Sequence, residues 1–361
     1  MKFTIIKNTK LQDGKLHGDG YALASRISIN SECAVFKIKN TGLSDYSFVF
    51  AFEGVGHHCR MEVLPSQNLI LLYFIRDGIP IYLQHASLSI PPEQTITLYW
   101  EADSIRVHLG FTNIINILGE GLSSGHWGFA TRDTPYKIPE VLVQFTPLTQ
   151  FQWICLGDGY SNNRWKNRHL FSWPELAFGN GGTHLNACVA AGNTRRTLKV
   201  LEFIRHRVAG ASVFIAAGAD DLIEGEPLEG FLSRLSTLVE NTRCAGAKSI
   251  HLCAIPPSTR NNEEIIKRNH AIHELSQKNG IAFIDFHQCL SPAMPGILVG
   301  GGYPGPEAQR MIATLVLKQL GIQTTISPLI HVERKPKVHG LMTRALSRAQ
   351  ICIDSILGRL P

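Results

Sequence analysis

Near residue 150 the hydrophobic pattern of this 361-residue chain changes its period, and the change separates two kinds of fold. Before it, short segments alternate apolar and polar residues, as at Ile96, Leu98 and Trp100. After it, unbroken apolar runs alternate with longer amphipathic stretches. A period of two is typical of half-buried strands, and apolar runs separated by helices are typical of a parallel sheet. The sequence therefore predicts an all-β domain followed by an α/β domain.

The all-β domain is predicted over residues 1–147, with turn signals such as Asp13-Gly14 and Pro91-Pro92 between the alternating segments. This spacing favours a β-sandwich. The closing stretch, GHWGFATRDTPYKIPEVLVQF, resembles the last strands of laminin-G and concanavalin-like jelly rolls. That resemblance implies a lectin-like jelly-roll sandwich, which either binds a glycan or serves only as a structural support.

The α/β domain is predicted over residues 148–322. Its strand runs are expected at 153–156, 185–189, 212–217, 249–254 and 281–286, with helices at 228–245 and 262–279. In such sheets ligands bind at the carboxyl ends of the strands. The polar, glycine-containing loops at 157–163, 192–194, 218–221 and 300–306 are therefore expected to converge on one edge.

Composition excludes several classes of function. The tail after residue 322 carries a net charge of +4 of the total +6, so the remainder is nearly neutral and no nucleic-acid partner is expected. No apolar run reaches the roughly 18 residues of a transmembrane helix. Eight scattered cysteines without a CxxC pair predict reduced thiols and a cytoplasmic location. No cofactor is expected, because the glycine run at 300–302 lacks the context of a dinucleotide loop, and no metal site is predicted.

The tail, residues 323–361, is predicted to be a basic linker followed by an amphipathic helix over 341–360. Apolar residues recur there at intervals of three and four, at Met342, Ala345, Leu346, Ala349, Ile353, Ile356 and Leu360. Such a face favours packing on the protein's own body, on a second copy in a homo-oligomer or on a partner. Binding to a membrane surface through Arg344, Arg348 and Arg359 is the alternative.

Five short blocks lie in order on the loops of the α/β domain. They are Gly157-Asp158-Gly159, NACVAAGNT with its glycine at Gly192, Gly218-Ala219-Asp220-Asp221, IPPSTRNNEEIIKRNHAIHELSQKNGIAFIDF, and Gly300-Gly301-Gly302-Tyr303-Pro304. Together these blocks resemble the SGNH (GDSL) hydrolase superfamily over residues 152–321. The resemblance implies a flavodoxin-like three-layer α/β/α fold and an esterase or acyltransferase ancestry.

The chemistry implied by the resemblance is altered at four positions. The family uses a serine nucleophile, a histidine base and an orienting aspartate, where this chain has Gly159, Tyr303 and Gly300. Glycine cannot attack a carbonyl, and a tyrosine with a pKa near 10 is a poor base at neutral pH. Asp220 stands where an asparagine would donate to the oxyanion, so only the amides of Gly159 and Gly192 remain as donors.

Three rearrangements could still supply catalysis. Ser161 could act as a displaced nucleophile, although two residues of helix rotate a side chain by about 200°, which favours a helix-capping role. Asp158, Asp220 and Asp221 could gather as paired carboxylates for acid–base work or for a metal, or could only brace the loops. A distant histidine could serve as the base, and the candidates are His169, His184, His251, His270 and His287.

Ligand contacts are predicted from the segments that surround these loops. Arg164 and Trp165 could clamp an anionic group and stack on a ring, while the later apolar residues Trp173, Leu176 and Phe178 are expected to pack in the core. Further ligand contacts are predicted at Asn193, Asp221 and Arg195, which lie in or beside the cleft loops.

Two functional interpretations follow. The first is a pseudoenzyme that keeps the cleft as a binding module for a carbohydrate or another small molecule. The alternative is an active esterase or acyltransferase on an acylated sugar or small molecule, using Asp158, Asp220, Tyr303 and the glycine amides.

Overall fold

The structure of the protein is a computed structural model that describes residues 4–12, 15–28, 32–40, 44–77, 79–87, 89–101, 104–110, 112–118, 124–130, 136–147, 149–162, 172–179, 183–189, 192–258, 261–290, 298–299 and 303–323. The chain divides into two compact units. The first contains Met1–Gly110 and Ile117–Leu148, and the second contains Phe111–Asn116 and Thr149–Leu329. The tail helix predicted over 341–360, the ligand contacts Arg164 and Trp165, and Gly300 lie outside the described residues.

Antiparallel strands make up the regular structure described up to residue 147. They are β1 (Thr4–Gln12), β2 (Lys15–Ser28), β3 (Glu32–Lys39), β4 (Tyr46–Gly54), β5 (His57–Leu64), β6 (Leu69–Arg76), β7 (Ile79–Ser87), β8 (Thr95–Trp100), β9 (Ser104–Leu109), β10 (Thr112–Leu118), β11 (Ser124–Ala130), β12 (Tyr136–Lys137) and β13 (Glu140–Pro147), with one short 3₁₀ turn at Pro65–Gln67. One sheet has the order β1-β2-β11-β4-β5-β6-β7, with β12 beside β2, and the other has the order β10-β9-β8-β3-β13.

Aromatic side chains hold these two sheets together. Phe36 of β3 contacts Phe48 of β4 with ring centroids 5.3 Å apart, and Trp100 of β8 contacts Phe50 of β4 at 5.6 Å. All four rings are fully buried. Because each pair joins one sheet to the other, the sheets pack face to face, as the period of two predicts. The jelly-roll topology stays a prediction.

Five parallel strands form the centre of the second unit. They are β14 (Trp153–Gly157), β15 (His184–Asn186), β16 (Ser212–Ala216), β17 (Ser249–Cys253) and β18 (Ala282–Ile284), in the order β15-β14-β16-β17-β18. All five lie within or beside the apolar runs that the sequence predicts. A short antiparallel pair follows, β19 (Leu298–Val299) and β20 (Tyr303–Pro304).

Helices cover this sheet in two groups. The helices are α1 (Gly159–Asn162), α2 (Trp173–Phe178), α3 (Thr194–Ile204), α4 (Ala219–Ile223), α5 (Leu228–Cys244), α6 (Asn262–Asn279), α7 (Phe286–Cys289) and α8 (Pro306–Gln319), with a 3₁₀ turn at Arg205–Arg207. Helices α2, α7 and α8 contact one another, while α3 contacts α5, and α6 contacts α4 and α5. The second unit is thus a mixed α/β domain, as predicted, and no described helix is long and apolar enough to cross a bilayer.

The strand order places the candidate site. Strand β14 lies between β15 and β16, so the chain moves to one side of β14 and then to the other. In open α/β sheets such a reversal leaves a crevice at the carboxyl ends of the strands. The turns that follow β14 and β16 therefore lie side by side, and they contain Asp158 and Asp220.

Gly157 makes the first of these turns possible. Its φ is +140°, a conformation that L side chains rarely adopt, and an added Cβ would lie 1.9 Å from the carbonyl oxygen of Ala216. Only glycine lets the end of β14 approach the end of β16 this closely.

Gln309 ties α8 to α1 and α2. Its Oε1 accepts from the Trp173 amide at 2.8 Å, and its Nε2 donates to the Tyr160 carbonyl at 2.9 Å. The residue is 1% exposed and stands on the face of α8 that also carries Ile312 and Val316. Its side chain therefore pairs the buried Trp173 amide and Tyr160 carbonyl, which apolar packing alone would leave without hydrogen bonds.

We expect Gln309→Leu to lower the free energy of unfolding by about 3 kcal/mol, because it leaves a buried donor and a buried acceptor unpaired. Urea unfolding measures the change. The matched control is Gln319→Leu, at an exposed position of the same helix, with an expected effect within about 0.5 kcal/mol. Equal losses in the two variants would contradict the assignment.

Candidate functional site

Asp158 stands directly after β14, fully buried. Its amide donates to the Ala216 carbonyl at 2.9 Å, which extends the pairing of β14 with β16 by one residue. Its Oδ2 accepts from the amides of Ala219, at 2.5 Å, and Asp220, at 3.3 Å. The carboxyl group thus binds the first amides of α4, the helix that begins the neighbouring turn.

Asp220 makes the reciprocal contact. Its Oδ2 accepts from the Gly159 amide at 3.2 Å, and the Gly192 amide is also directed at this carboxylate. The side chain is 6% exposed. Each turn therefore places an aspartate on the amides of the other turn, and we call this arrangement the Asp158–Asp220 exchange.

The exchange occupies the two amides that the sequence leaves as oxyanion donors. Gly159 and Gly192 both point at a carboxylate that belongs to the chain itself. Gly192 is held close to the end of β14, since an added Cβ would lie 2.5 Å from the Gly157 carbonyl oxygen. The sequence predicts that Asp220 repels an oxyanion. The structure adds that the Asp220 carboxyl group already accepts from the Gly159 and Gly192 amides.

Burial and mutual repulsion govern the charges of the pair. Burial, and then the nearby Asp220 and Asp221, raise the pKa of Asp158 well above its ordinary value. Its Oδ1 has no hydrogen-bond partner. Burial also raises the pKa of Asp220, while the amides of Gly159 and Gly192 oppose the shift. Both groups therefore hold their protons to higher pH than an exposed aspartate does.

Ser161, the predicted displaced nucleophile, faces the interior. It is fully buried, and its Oγ accepts from the Trp173 indole at 2.8 Å. The Asn186 amide group donates to the Ser161 carbonyl at 3.0 Å. No histidine among the described residues hydrogen-bonds to Ser161. The Ser161 hydroxyl thus holds the indole of Trp173, and both the nucleophilic and the helix-capping roles of Ser161 stay predictions.

Asp221 and Asn193, the predicted ligand contacts, are engaged within the loops. Asp221 accepts from the hydroxyl of Thr194 at 2.6 Å and from its amide at 2.8 Å, with Arg234 at 3.6 Å. Asn193 caps α3 by accepting from the Arg196 amide at 2.9 Å. These bonds brace the start of α3 against α4. Ligand contact by either residue stays a prediction.

The remaining predicted positions lie around the same edge. Arg195 is exposed in the first turn of α3. The backbone of Tyr303 lies in β20, and the neighbouring Pro304 carbonyl accepts weakly from Gln309 at 3.4 Å. Because Gln309 also binds Tyr160, the end of the fifth block lies beside the helix that follows the first block.

The later aromatic residues pack in the core, as predicted. Trp173 and Phe178 are buried, and Leu176 packs against the same cluster. Trp173 contacts Phe286 edge to face with centroids 5.4 Å apart. These rings belong to one core cluster, and the Trp173 indole also donates to Ser161.

Sequence reasoning missed two polar residues that shape the site. Gln309 falls in register with the apolar face of α8, and a polar residue at such a position signals a buried hydrogen-bonding role. Asn186 opens the NACVAAGNT block, but the family resemblance assigns a role only to the glycine of that block. Among the residues described, no cluster of three or more His, Cys, Asp or Glu side chains suits a metal ion.

No protein-family model and no curated protein sequence matches the chain. Similar solved structures include a G-D-S-L family lipolytic protein from Desulfitobacterium hafniense, 19% identical, which covers 46% of this chain and 97% of its own at a TM-score of 0.42. A catalytic mutant of an acetylxylan esterase from Geobacillus stearothermophilus is 14% identical, with 49% and 98% covered and a TM-score of 0.41. A Bacillus subtilis protein is 15% identical, with 85% and 82% covered and a TM-score of 0.44.

Several of these neighbours are G-D-S-L lipolytic hydrolases that cover about half of the chain. The three structures compared are less than 20% identical to this chain, and their TM-scores are below 0.5.

The raised pKa values predict a stability that falls with pH. Between the unfolded pKa of about 3.9 and the raised folded values, the folded chain holds protons that the unfolded chain has lost. The free energy of unfolding should therefore decline by up to about 1.4 kcal/mol per pH unit for each carboxyl group. The contribution is complete below pH of about 4 and is lost as the pH rises through the folded pKa.

We expect Asp158→Asn to flatten this decline and to stabilise the protein more at pH 8 than at pH 5, because the amide cannot ionise. Urea unfolding across that range measures it. Glu229→Gln, an exposed position on α5, is the control and should keep the wild-type slope. An unchanged slope in Asp158→Asn would show that this carboxyl group does not carry the pH dependence.

Proposed function

We propose that the second unit is an SGNH-hydrolase-like domain whose carboxyl-edge site binds a ligand without acyl-transfer chemistry. The observation that carries the proposal is the Asp158–Asp220 exchange, in which the Gly159 and Gly192 amides serve an internal carboxylate. An oxyanion hole works only when its donors are free to meet the charge that develops in the transition state. Here the donors already meet a carboxylate.

A reacting group that displaced Asp220 from the glycine amides would have to overcome an unfavourable free energy. A hydrogen bond to a charged group is worth about 1.5–3 kcal/mol, and the displaced carboxylate would lie close to the new negative charge. Asp220 is nearly fully buried, so it has little water to turn towards. These costs support a pseudoenzyme over a working hydrolase, together with the sequence difference at Gly159.

The ligand that fits the proposal is a carbohydrate or another small molecule with an anionic group. Arg164, Trp165 and Arg195 are the residues proposed to recognise it, and the lectin-like first unit is proposed to add a second glycan contact. A cytoplasmic location is part of the proposal. It is supported by the seven described cysteines, which are all free.

The second candidate function is an active esterase or acyltransferase with a rearranged site. The observation in its favour is the polar character of the carboxyl edge, where Asp158 keeps a buried Oδ1 without a partner. Such a group could hold a proton for acid–base work.

Restoration of the missing groups tests the proposal. We expect wild-type protein to show no p-nitrophenyl acetate or acetyl-sugar turnover that depends on the carboxyl edge. Gly159→Ser with Gly300→Asp and Tyr303→His should turn over slowly, and adding Asp220→Asn should raise the rate about 100-fold, the value of one oxyanion donor. Glu229→Gln added to the triple variant is the matched control.

Two results would contradict the proposal. Wild-type turnover that Ser161→Ala or Asp158→Asn abolishes would establish the rearranged enzyme. An equal rate with and without Asp220→Asn, in a folded variant, would show that Asp220 does not occupy the oxyanion donors.

Ligand binding has its own test. We expect some members of a panel of plain, acetylated and anionic sugars to quench tryptophan fluorescence, with affinity reduced at least about tenfold by Trp165→Ala through the loss of ring stacking. Trp153→Phe, at the amino end of β14, is the control and should leave the affinity unchanged. An affinity that Trp165→Ala leaves intact would exclude this residue from the site.

A further inference from the structure

Strand β13 is an edge strand whose side chains are open to solvent. It pairs antiparallel with β3 and stands last in the sheet order β10-β9-β8-β3-β13. Every residue of Glu140–Pro147 is exposed or half-buried. Leu142 on one face is 53% exposed, and Phe145 on the opposite face is 52% exposed. Since an edge strand also presents main-chain N–H and C=O groups that its neighbour does not use, β13 offers both apolar contacts and hydrogen bonds to a further strand.

The sequence of β13 lacks the features that keep edge strands from pairing with other chains. Protected edges carry charges, a proline or a bulge. Strand β13 has the sequence EVLVQFTP, in which the charge and the proline stand only at the ends, and its register with β3 is regular. The residues between them, VLVQFT, combine high β-propensity with absence of charge, as in segments that pair edge to edge. By contrast, β7 at the edge of the other sheet contains Pro80 and a register shift against β6.

From this exposed and unprotected edge we infer that the protein forms a two-fold dimer in which β13 pairs antiparallel with β13 of a second copy. A closed dimer uses the same surface on both copies, and an antiparallel strand can pair with itself in this way. The added strand continues the antiparallel pattern of β3 and β13, so that two sheets become one. The interface uses neither the ligand site proposed above nor the tail helix, and it can fail without them.

The two-fold axis and the side chains together select one register. An axis perpendicular to the sheet keeps each face on its own side, so residues of the same face stand opposite each other. With the axis at Val143, residues 140–146 of each copy are paired, and Pro147, which has no N–H to donate, lies outside the ladder. The opposed pairs are Val143 with Val143, Val141 with Phe145, Leu142 with Gln144, and Glu140 with Thr146. Apolar side chains thus meet on one face, and no carboxylate meets another.

The size of the interface sets its strength. Strand pairing over residues 140–146 supplies roughly six to eight main-chain hydrogen bonds, because alternate opposed pairs exchange two each. That number lies within the range of specific interfaces, which is about 5 to 15. A single pair of strands buries less area than the roughly 1,200 Å² of a stable complex. We therefore expect a weak dimer with a dissociation constant in the micromolar range.

Sedimentation velocity of the full chain tests for the dimer. We expect the average mass to rise from 39.9 kDa towards twice that value as the protein concentration increases from about 1 to about 300 µM. This measurement needs no variant and so does not depend on variant folding.

Two double variants that share one substitution test the register. Leu142→Glu with Gln144→Glu places carboxylates opposite each other across the interface, and we expect association at least about tenfold weaker. Leu142→Glu with Gln144→Lys is the matched control, since it pairs opposite charges at the same positions, and association should stay within about threefold of wild type. Both positions are exposed, and Lys37 of β3 stands opposite Leu142, so the shared carboxylate suits the folded sheet. Unchanged circular dichroism spectra check the folding of both variants.

Cysteine cross-linking locates the axis. Val143→Cys brings two thiols together at a Cα separation of about 4.5–5.5 Å, within the range of a disulfide, so oxidation should link the two copies. Glu140→Cys is the control, because its two copies would lie roughly 20 Å apart along the strands. It should give no more cross-linked chain than the wild type. Peptide mapping distinguishes the new bond from one through the exposed native Cys244.

Three outcomes would overturn the inference. A wild type that stays at 39.9 kDa at every concentration would show that a second copy does not bind this edge, and would leave an extended segment of another protein as its occupant. A dimer that Leu142→Glu with Gln144→Glu leaves intact would place the interface elsewhere, as on the tail helix predicted over 341–360. Equal weakening in the two double variants would exclude the register centred on Val143.

Discussion

The reciprocal capping of two adjacent turns is the interaction on which the carboxyl edge depends. Asp158 binds the amides that begin α4, and Asp220 binds the amide that begins α1. Each carboxyl group is buried, and burying a charged group is unfavourable unless it is hydrogen-bonded. The two turns therefore stabilise each other. Neither aspartate can bind a ligand through the same oxygen without giving up its hydrogen bonds to the amides of the other turn.

The sequence predicts the scaffold well because periodicity reports burial directly. The apolar runs locate all five parallel strands, and the helix predicted over 262–279 coincides with α6. The site is harder, because a residue's role depends on partners far along the chain. Asp220 meets Gly159 across 61 residues, and Ser161 meets Trp173 through a loop whose path no local pattern encodes. The sequence places Asp220 beside the glycine amides but cannot tell whether it opposes an oxyanion or replaces one.

The two edges of the parallel sheet differ in what their polar groups can do. At the carboxyl edge, amides and carboxyl groups are matched to one another within the protein, which favours rigidity. At the amino edge, Ser249 and His251 hydrogen-bond to each other and remain partly open to solvent. A strand order that reverses at β14 gathers loops on one edge only, so the amino edge owes its polar pair to the alternation of side chains along β17.

The hydrogen bonds of Gln309 constrain the order in which the domain folds as it is synthesised. Tyr160 and Gln309 are 149 residues apart, and the turn after the first parallel strand takes its final form only when both are present. During synthesis the chain emerges from its amino-terminal end, so β14, α1 and α2 leave the ribosome long before α8 does. Contacts of such high sequence separation are slow to form. The turn that carries Gly159 is therefore among the first parts of the domain to be made and among the last to be completed.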